Sequence, residues 1–440
     1  MQIKNILKTK FAKNASWIIA SRIYQIVINL AVSMVSVRYL GPDNYGLINY
    51  AASFAALLTA FSTLGTNDVL VNEIVSAPER EGATLGTVII FRLFSSTLSM
   101  ITICLLVAAL NPDDKLALLV AAVYSSSLVF QSIEAINYWY QAKLMSKTTS
   151  IITSIARTVV GIYKVILLVT EKSVVWFAAA NAVEYTVVGL LLIVLYRKNC
   201  SEDQKLKFSF SIGKDVLSRS HHFILSGFMV ALYTQMDIIM LRYFCGDRAV
   251  GFYSTAVMIC ALWNFVLSAI IDSARPIVFE AFNAGNISLY NRRLTQLYSA
   301  VVYISIAAAI VITALSKYVI LILYGPAYLP AQGGLCILTW STLFSYLGVA
   351  RSVWVVPHGQ QVFEKYIAVV GVISNIILNL IMIPMWGAAG AAVATLLTQV
   401  ITNCFCNVIF KPLRENGKIM LNALDIREYI KYAYLSIKTH

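Results

Sequence analysis

Twelve long apolar stretches constrain this chain more than any other feature. A helix needs roughly 20 mostly apolar residues to cross a bilayer, and a strand of a membrane barrel needs far fewer. Charged residues make up 12% of the 440 residues, about half the share in a soluble domain, and 59% are hydrophobic. Backbone in lipid must satisfy its hydrogen bonds internally. The sequence therefore predicts an all-α polytopic membrane protein with about 12 transmembrane helices, at approximately residues 14–39, 45–70, 84–110, 116–141, 148–170, 174–196, 219–243, 250–272, 294–316, 331–356, 361–383 and 387–410.

The distribution of Lys and Arg predicts the orientation of these spans. If the N-terminus is cytoplasmic, the cytoplasmic segments hold about 23 of the 34 cations and the outer loops hold about 6. We therefore expect both termini on the cytoplasmic side. The net charge of +13 is explained by cations that orient the spans and contact anionic lipid head groups. It therefore does not indicate nucleic-acid binding.

Two outer turns have nearly the same sequence. "RYLGPDNYGLINYA" begins at Arg38 and "RYFCGDRAVGFYSTA" begins at Arg242, and six predicted spans separate them. An even number of spans between the copies predicts two halves that insert the same way up, as a parallel pseudo-twofold repeat. We expect an N-terminal six-helix lobe at 1–205, a C-terminal six-helix lobe at 206–410 that begins with a cytoplasmic linker at 206–218, and a basic cytoplasmic tail at 411–440. Coincidence between two short glycine- and tyrosine-containing turns is the alternative.

The loops offer little room for catalysis. The predicted outer loops are short, such as "NPDD" and "TEKS", and the sequence contains no nucleotide-binding loop, zinc-protease motif or serine-hydrolase motif. The seven cysteines are scattered without the spacing of a metal site. We therefore expect a transporter with no catalytic residues, no bound metal and no cofactor.

Polar residues recur inside the spans, where they are costly and face a bundle interior or a wet cavity. Arg22, Gln25 and Asn29 form one helical stripe on the first span. Hydrogen bonding between helices is the alternative explanation for the amides and hydroxyls. The polar residues that we expect to line a cavity are Gln25, Asn29, Asn67, Glu134 and Arg157.

The charged residues inside the spans divide into pairs and apparent singles. Glu134 lies near the depth of Arg157, and Lys164 near that of Glu184, so these four are candidates for structural ion pairs. Three arginines have no obvious partner in the sequence. Because a guanidinium binds two phosphate oxygens at once, the three predict a site for a pyrophosphate that opens to the cytoplasm. They are Arg22, Arg92 and Arg351.

A second polar group lies nearer the predicted outer face. Asp237 is in the seventh span, Asn375 and Asn379 lie one turn apart in the eleventh, and Thr395 is in the twelfth. One carboxylate with amide and hydroxyl oxygens suits Na⁺ or a proton site. Interhelical hydrogen bonding is again the alternative.

The opening "NASWIIASRIYQIVINLAVSMVSVRYLGPDNYGLINYAASFAALLTAFSTLGTNDVL", with "LYGPAYLPAQ" and "WGAAGAAVATLLTQV", resembles the Wzx-type O-antigen and polysaccharide flippases. These belong to the multidrug/oligosaccharidyl-lipid/polysaccharide exporter superfamily, and the resemblance covers about residues 10–410. It implies two six-helix lobes around a central cationic cavity, which fits Arg22 and Arg92. Murein-precursor flippases are similar in placing a cation site among spans seven, eleven and twelve. Asn379 stands where a carboxylate is expected, which lowers the charge of that site.

The resemblance implies a function as well as a fold. It implies a flippase that moves undecaprenyl-pyrophosphate-linked oligosaccharide repeat units, of the O-antigen or capsule type, from the cytoplasmic to the periplasmic leaflet of the bacterial inner membrane by alternating access. Na⁺ or H⁺ is the expected coupling ion. We expect a monomer in the lipid bilayer that works alongside polysaccharide polymerase machinery in O-antigen or lipopolysaccharide biosynthesis.

Two alternatives remain open. A drug or cation antiporter of the same superfamily would prefer acidic and aromatic cavity residues, so the arginines argue against it. A membrane-embedded polysaccharide polymerase or ligase would act on the same lipid-linked sugars, and the short outer loops argue against it.

Overall fold

The computed structural model describes residues 2–201 and 204–424, and for residues 2–16, 18–20 and 22 only the backbone is described. No strand occurs within these ranges. Short 3₁₀ turns lie at Pro78–Arg80, Ser132–Glu134, Pro326–Ala331 and Lys411–Leu413, and a π-helical turn lies at Ile401–Phe405. The α-helices are α1 (Gln2–Ser62), α2 (Asn67–Ser76), α3 (Glu81–Leu110), α4 (Lys115–Gln131), α5 (Ala135–Ala142), α6 (Ser146–Val169), α7 (Val174–Asn199), α8 (Phe210–Asn283), α9 (Ile287–Leu323), α10 (Gln332–Val355), α11 (Val362–Val400), α12 (Cys406–Ile409) and α13 (Arg414–Asn422).

Nine helical segments in the described ranges are long and apolar enough to cross a membrane. Three of the nine, which contain α1, α8 and α11, are each divided by one glycine with non-helical backbone angles: Gly41, Gly246 and Gly387. Each division separates two helical arms, so the nine segments supply twelve arms. The predicted polytopic all-α membrane fold is confirmed.

The two similar turns share one backbone conformation. Gly41 has φ 70° and ψ 171°, and Gly246 has φ 79° and ψ −179°. This region is accessible almost only to glycine, because a Cβ clashes with the neighbouring carbonyl. In the second turn, Nε of Arg242 donates to Oδ1 of Asp247 over 2.5 Å and closes the loop around Gly246. The similarity of the two sequences thus corresponds to the same local geometry.

The chain divides into two compact units, Met1–Gln235 and Met236–His440. Unit 1 has a core of large aromatic and branched side chains from α2, α3, α5 and α7. The Trp139 ring packs edge-on against Tyr140 at 5.0 Å and Tyr196 at 5.1 Å. Aromatic pairs in this arrangement contribute packing energy beyond the area that they bury.

The first part of α8 packs within unit 1. The Phe61 and Phe228 rings meet at 5.0 Å, and a Cβ on Gly65 would lie 2.8 Å from the Cβ of Phe223. Gly65 has φ 59°, so it serves both the turn after α1 and the close approach of α8. The lobe boundaries expected at residues 205 and 206, and the linker at 206–218, stay predictions.

Unit 2 has a core that includes part of the predicted tail. α13 packs on α9, where the Tyr298 hydroxyl donates to Oδ1 of Asn416 over 2.6 Å and the Ser299 hydroxyl donates to the Ala423 carbonyl. Residues 414–422 are therefore an ordered helix with buried Ile419 and Met420. Residues 425–440 of the predicted tail lie outside the described residues.

Candidate functional site

A buried carboxylate in unit 2 joins four spans. Asp237 is 3% exposed and comes from the first arm of α8. Asn375 Nδ2 donates to its Oδ1 over 2.9 Å, and Asn379 Nδ2 donates to the same oxygen over 2.6 Å. These asparagines lie one turn apart on α11, so both amides reach one side of the carboxylate.

The other carboxylate oxygen has two hydroxyl donors. Thr395, on the second arm of α11, and Tyr253, on the second arm of α8, each donate to Oδ2 of Asp237 over 2.6 Å. The two hydroxyl oxygens are 3.1 Å apart. The structure thus brings together the four residues that the sequence grouped, and it adds Tyr253, which the sequence analysis missed.

The described contacts to the Asp237 carboxyl group are all hydrogen bonds. Among the described residues, no Lys or Arg nitrogen lies within 4.0 Å of the Asp237 carboxylate. A buried charge is tolerated when its lone pairs are filled by donors, and donors to a carboxylate make the stronger class of hydrogen bond. One further atom is unsatisfied, because Oδ1 of Asn379 is buried without a partner. An orphaned acceptor beside a carboxylate fits a small hard cation.

The donor set fits Na⁺ or a proton better than a transition metal. Carboxylate, amide and hydroxyl oxygens are hard ligands. Rotation of the Asn375 and Asn379 amides would turn two more oxygens toward Asp237. Within the described chain, no group of three His, Cys, Asp or Glu side chains could hold a metal ion.

Arg351 is not a free cation. The prediction that it lacks a partner was wrong. Its Nε and Nη2 contact both oxygens of Glu364 at 2.9 and 2.8 Å, and the arginine is 3% exposed. Its Nη1 lies 3.2 Å from the Thr402 carbonyl and 3.3 Å from Oδ1 of Asn403. Both acceptors belong to the π-helical turn, whose wider winding disrupts the regular backbone ladder.

Arg92 also has partners, contrary to the sequence analysis. The guanidinium is 2% exposed, its Nε and Nη2 donate to the Thr66 hydroxyl at 2.9 and 2.6 Å, and Nη2 donates to Oδ1 of Asn67 at 2.8 Å. The Tyr138 ring lies 5.5 Å from its Cζ. Arg92 therefore fixes the turn between α1 and α2, in which Leu64 has a positive φ of 53°.

The expected pairing of Glu134 with Arg157 was wrong. Arg157 Nε contacts Oε1 of Glu184 at 2.9 Å, and Glu134 accepts from Asn137 at 3.3 Å. Glu134 lies instead in the electrostatic field of Arg92, and Lys164 in that of Glu184. Depth along a span predicted the partners poorly because it does not say which faces of the helices meet.

The polar stripe of the first span turns partly toward α6. Gln25 Nε2 donates to the Thr153 hydroxyl over 3.0 Å, and Asn29 accepts from Ser33 at 3.5 Å while remaining exposed. Arg22 lies in α1, but its side chain lies outside the described part of the chain. The roles of these residues, and of Asn67, in lining a cavity stay predictions.

This chain is similar in sequence to proteins that are named for polysaccharide biosynthesis or as flippases. A family profile described as "Polysaccharide biosynthesis protein" matches residues 11–282. The probable flippase AglR of Haloferax volcanii is 30% identical over 191 residues, which is 38% of this chain and 36% of AglR. The capsular polysaccharide biosynthesis protein CapF of Staphylococcus aureus is 20% identical over 397 residues, 88% of this chain and 96% of CapF.

Solved structures show the same fold. The lipid II flippase MurJ, in an inward closed conformation, superposes with a TM-score of 0.67 at 16% identity over 94% of this chain and 92% of MurJ. An inward-facing multidrug resistance transporter of the MATE family, from the MOP superfamily, superposes with a TM-score of 0.65 at 16% identity over 90% of this chain and 95% of that transporter. At these identities the similarity concerns the fold alone.

Proposed function

Because the chain belongs to the polysaccharide biosynthesis protein family, as its sequence indicates, we propose that it is a flippase for lipid-linked oligosaccharides rather than an enzyme. The observation that carries this proposal is the family match over residues 11–282 together with a transporter fold shared with a lipid II flippase. Two relatives in sequence or structure are named flippases, and a third is named for capsular polysaccharide biosynthesis.

The proposed substrate is an undecaprenyl-pyrophosphate-linked repeat unit of the O-antigen or capsule type. The unit would move from the cytoplasmic to the periplasmic leaflet of the bacterial inner membrane, in a protein with both termini in the cytoplasm. The protein would act as a monomer and deliver the unit to polysaccharide polymerase machinery. The cationic asymmetry of the sequence supports this orientation.

The pyrophosphate would bind arginines. Arg22 is the first candidate, on the stripe that also carries Gln25 and Asn29. Arg92 would bind the pyrophosphate only after giving up Thr66 and Asn67, because those residues now occupy its donors. Arg351 would bind it only after giving up Glu364. A phosphate can replace a carboxylate on a guanidinium, since both accept two parallel N–H donors. Substrate binding would thereby favour one conformation over the other, which alternating access requires.

The Asp237 cluster is the proposed site of ion coupling. A Na⁺ or H⁺ that reached Asp237 would compete with the donors from Tyr253 and Thr395, and so loosen the junction between α8 and α11. The orphaned Oδ1 of Asn379 supports a cation at this place. The bound ion would supply only a positive charge. Tyr253 and Thr395 would exchange their hydrogen bonds to Asp237 for other partners.

Complementation of a bacterial strain that lacks its own polysaccharide flippase tests the proposal. Wild-type protein is expected to restore surface polysaccharide, and lipid-linked units should become accessible on the outer face of the inner membrane. Arg22→Ala at equal protein level is expected to lose export, whereas Lys115→Gln, a change of an exposed lysine, is expected to retain it. Units trapped on the cytoplasmic side in the wild-type complemented strain would contradict the proposal.

The fold also favours one second candidate, a drug or cation antiporter, because it matches the MATE transporter almost as well as it matches MurJ. The same strain distinguishes the two. Resistance to cationic drugs without restored polysaccharide would identify an antiporter.

A further inference from the structure

A groove of about 330 Å³ lies between the first arm of α1 and α6, wholly inside unit 1. Its volume is at the lower end of the range for ligand pockets. None of the described residues that line it belongs to the Asp237 cluster or contacts Arg92 or Arg351. The residues that line it are Trp17, Ser21 and Tyr24 on α1, and Ser150, Ile151, Ser154, Ile155 and Thr158 on α6.

The groove contains hydroxyls without partners. Ser150 is only 7% exposed, yet neither its hydroxyl nor that of Ser154 makes a hydrogen bond to any described residue. In contrast, the Thr158 and Tyr24 hydroxyls are 2.8 Å apart and close the far end of the groove. Neither hydroxyl is among the fully buried unpartnered atoms, so both are accessible from the groove. They can therefore donate hydrogen bonds to a polar atom of a ligand that enters this end of the groove.

The open end carries a positive charge. Lys147 is exposed and lies about one turn before Ser150 on α6. Its Nζ is 5.0 Å from the centre of the Trp17 ring. A cation–π contact positions an ammonium without neutralising it, so the charge stays available for an anion. Between Lys147 and Thr158 the groove is roughly 17 Å long, from the rise of a helix. Along that length, Ile151, Ile155 and Trp17 form an apolar wall.

We propose that this groove binds the phosphate–prenyl junction of an anionic polyprenyl lipid. The phosphate would sit between Lys147 and the hydroxyls of Ser150 and Ser154, and the first prenyl units would lie along the apolar wall. A polyprenyl phosphate carries a single chain directly on its phosphate. A phospholipid carries two chains on a glycerol, and a groove bounded by two helices and closed at Tyr24 and Thr158 has room for one. The inference rests on the proposed function and deepens it, because it assigns an early docking site for the lipid carrier.

Photo-crosslinking in nanodiscs tests the groove with the full-length protein. The probe is a polyprenyl monophosphate with a diazirine on its second isoprene unit, and the labelled residues are mapped by mass spectrometry. Labels are expected within residues 17–24 and 150–158. Unlabelled polyprenyl monophosphate should displace the probe, whereas dioleoyl phosphatidylglycerol should not. Labels elsewhere, or equal displacement by phosphatidylglycerol, would overturn the assignment.

Three variants and one control separate recognition from folding. Lys147→Gln and Ser150→Ala are each expected to lower labelling at a fixed probe concentration by about threefold or more, since each removes a contact to the phosphate. Ser154→Trp should abolish labelling by filling the groove. Lys115→Gln, an exposed lysine at the start of α4, should label as the wild type does. Wild-type labelling in both Lys147→Gln and Ser150→Ala would refute the site.

The crosslinking result is independent of transport. A protein that labels in the groove but moves no lipid would retain this assignment and lose the flippase function. A protein that flips lipid-linked oligosaccharide without any label in the groove would keep the function and lose the assignment.

Discussion

Asn379 donates its amide to the Asp237 carboxylate over 2.6 Å while its own Oδ1, buried in the same cluster, has no partner. The residue therefore holds one charge in place and offers an oxygen that nothing in the described chain uses. The same arrangement occurs in unit 1, where Asn137 donates to Glu134 while its own Oδ1 is buried without a partner. The Asp237 cluster differs in that four donors converge on one carboxylate beside the unpartnered oxygen.

Replacing Asn379 by Asp tests whether the cluster binds Na⁺. A second carboxylate beside Asp237 raises the repulsion in an ion-free site and strengthens the attraction for a cation. Asn379→Asp is expected to melt below the wild type in choline chloride and to gain more stability on addition of NaCl, by about 1.4 kcal/mol at ten times the dissociation constant. The measurement is the melting temperature in detergent against NaCl concentration. Asn379→Leu serves as the control and should not respond; a Na⁺ response in Asn379→Leu equal to that of Asn379→Asp would count against the site.

Removing the Tyr253 hydroxyl tests the hydrogen bonds that hold the carboxylate. Tyr253→Phe keeps the ring but deletes a donor to Oδ2 of Asp237. We expect a loss of about 1.5–3 kcal/mol, the usual range for a hydrogen bond to a charged group, read as a lower melting temperature. Tyr318→Phe, at a tyrosine that is 61% exposed on α9, is the matched control and should change little. Equal effects of the two substitutions would show that the contact to Asp237 contributes nothing.

The pair of Arg351 with Glu364 predicts a non-additive result. Glu364→Gln leaves the nearly buried guanidinium without its carboxylate, so it should destabilise unit 2. We expect a loss of only about 1–3 kcal/mol, since water already reaches part of Glu364. Arg351→Met alone should also destabilise, since the Thr402 carbonyl loses its donor. The double variant is expected to be more stable than the sum of the two losses predicts, with a coupling of about 1 kcal/mol or more. Melting temperatures of the four proteins form the cycle, and strict additivity would mean that the ion pair is not energetically coupled.

The backbone conformation shared by Gly41 and Gly246 predicts that a side chain at either position lowers the free energy of unfolding. A Cβ at Gly41 meets no atom within 4 Å, so Gly41→Ala tests backbone conformation without a clash. With φ 70° and ψ 171°, the substitution should cost about 1–3 kcal/mol. Gly333→Ala, in α10 and also without a neighbour within 4 Å, should be neutral or stabilise by about 0.5–1 kcal/mol. Thermal unfolding compares the two, and a Gly41→Ala protein as stable as Gly333→Ala would contradict the assigned backbone conformation.

The spans were predictable because the length of an apolar run is a local pattern, whereas the Asp237 cluster was predicted from the depth of its residues in their spans and from the resemblance to the murein-precursor flippases. The length of an apolar run matches the thickness of a bilayer. A carboxylate or a pair of amides inside such a run must find its polar partners within the helix bundle, because lipid offers none. The asparagines at 375 and 379 are one turn apart, so they face one partner. The clash-free turn at Gly41 was likewise visible as a repeated motif.

The partners of the arginines were beyond the sequence. Glu364 lies 13 positions after Arg351, across the turn between α10 and α11, and the Thr402 carbonyl lies in a π-helical turn that no sequence pattern indicated. Arg92 bonds a hydroxyl and an amide in the turn after α1, which no charge pattern predicts. Tyr253 was missed because a tyrosine in a span usually contributes apolar packing, and the first turn has Ile48 at the matching position.

Lipid scrambling by the purified protein tests the central claim most directly. The full chain is reconstituted in liposomes with a polyprenyl-pyrophosphate-linked oligosaccharide that carries a fluorophore on its sugar, and an impermeant reductant quenches the label in the outer leaflet. Protein-free liposomes keep the inner-leaflet label protected, whereas liposomes that contain a flippase are expected to lose nearly all of it. Protection equal to that of protein-free liposomes, with uptake of a cationic dye by the same vesicles, would contradict the flippase function.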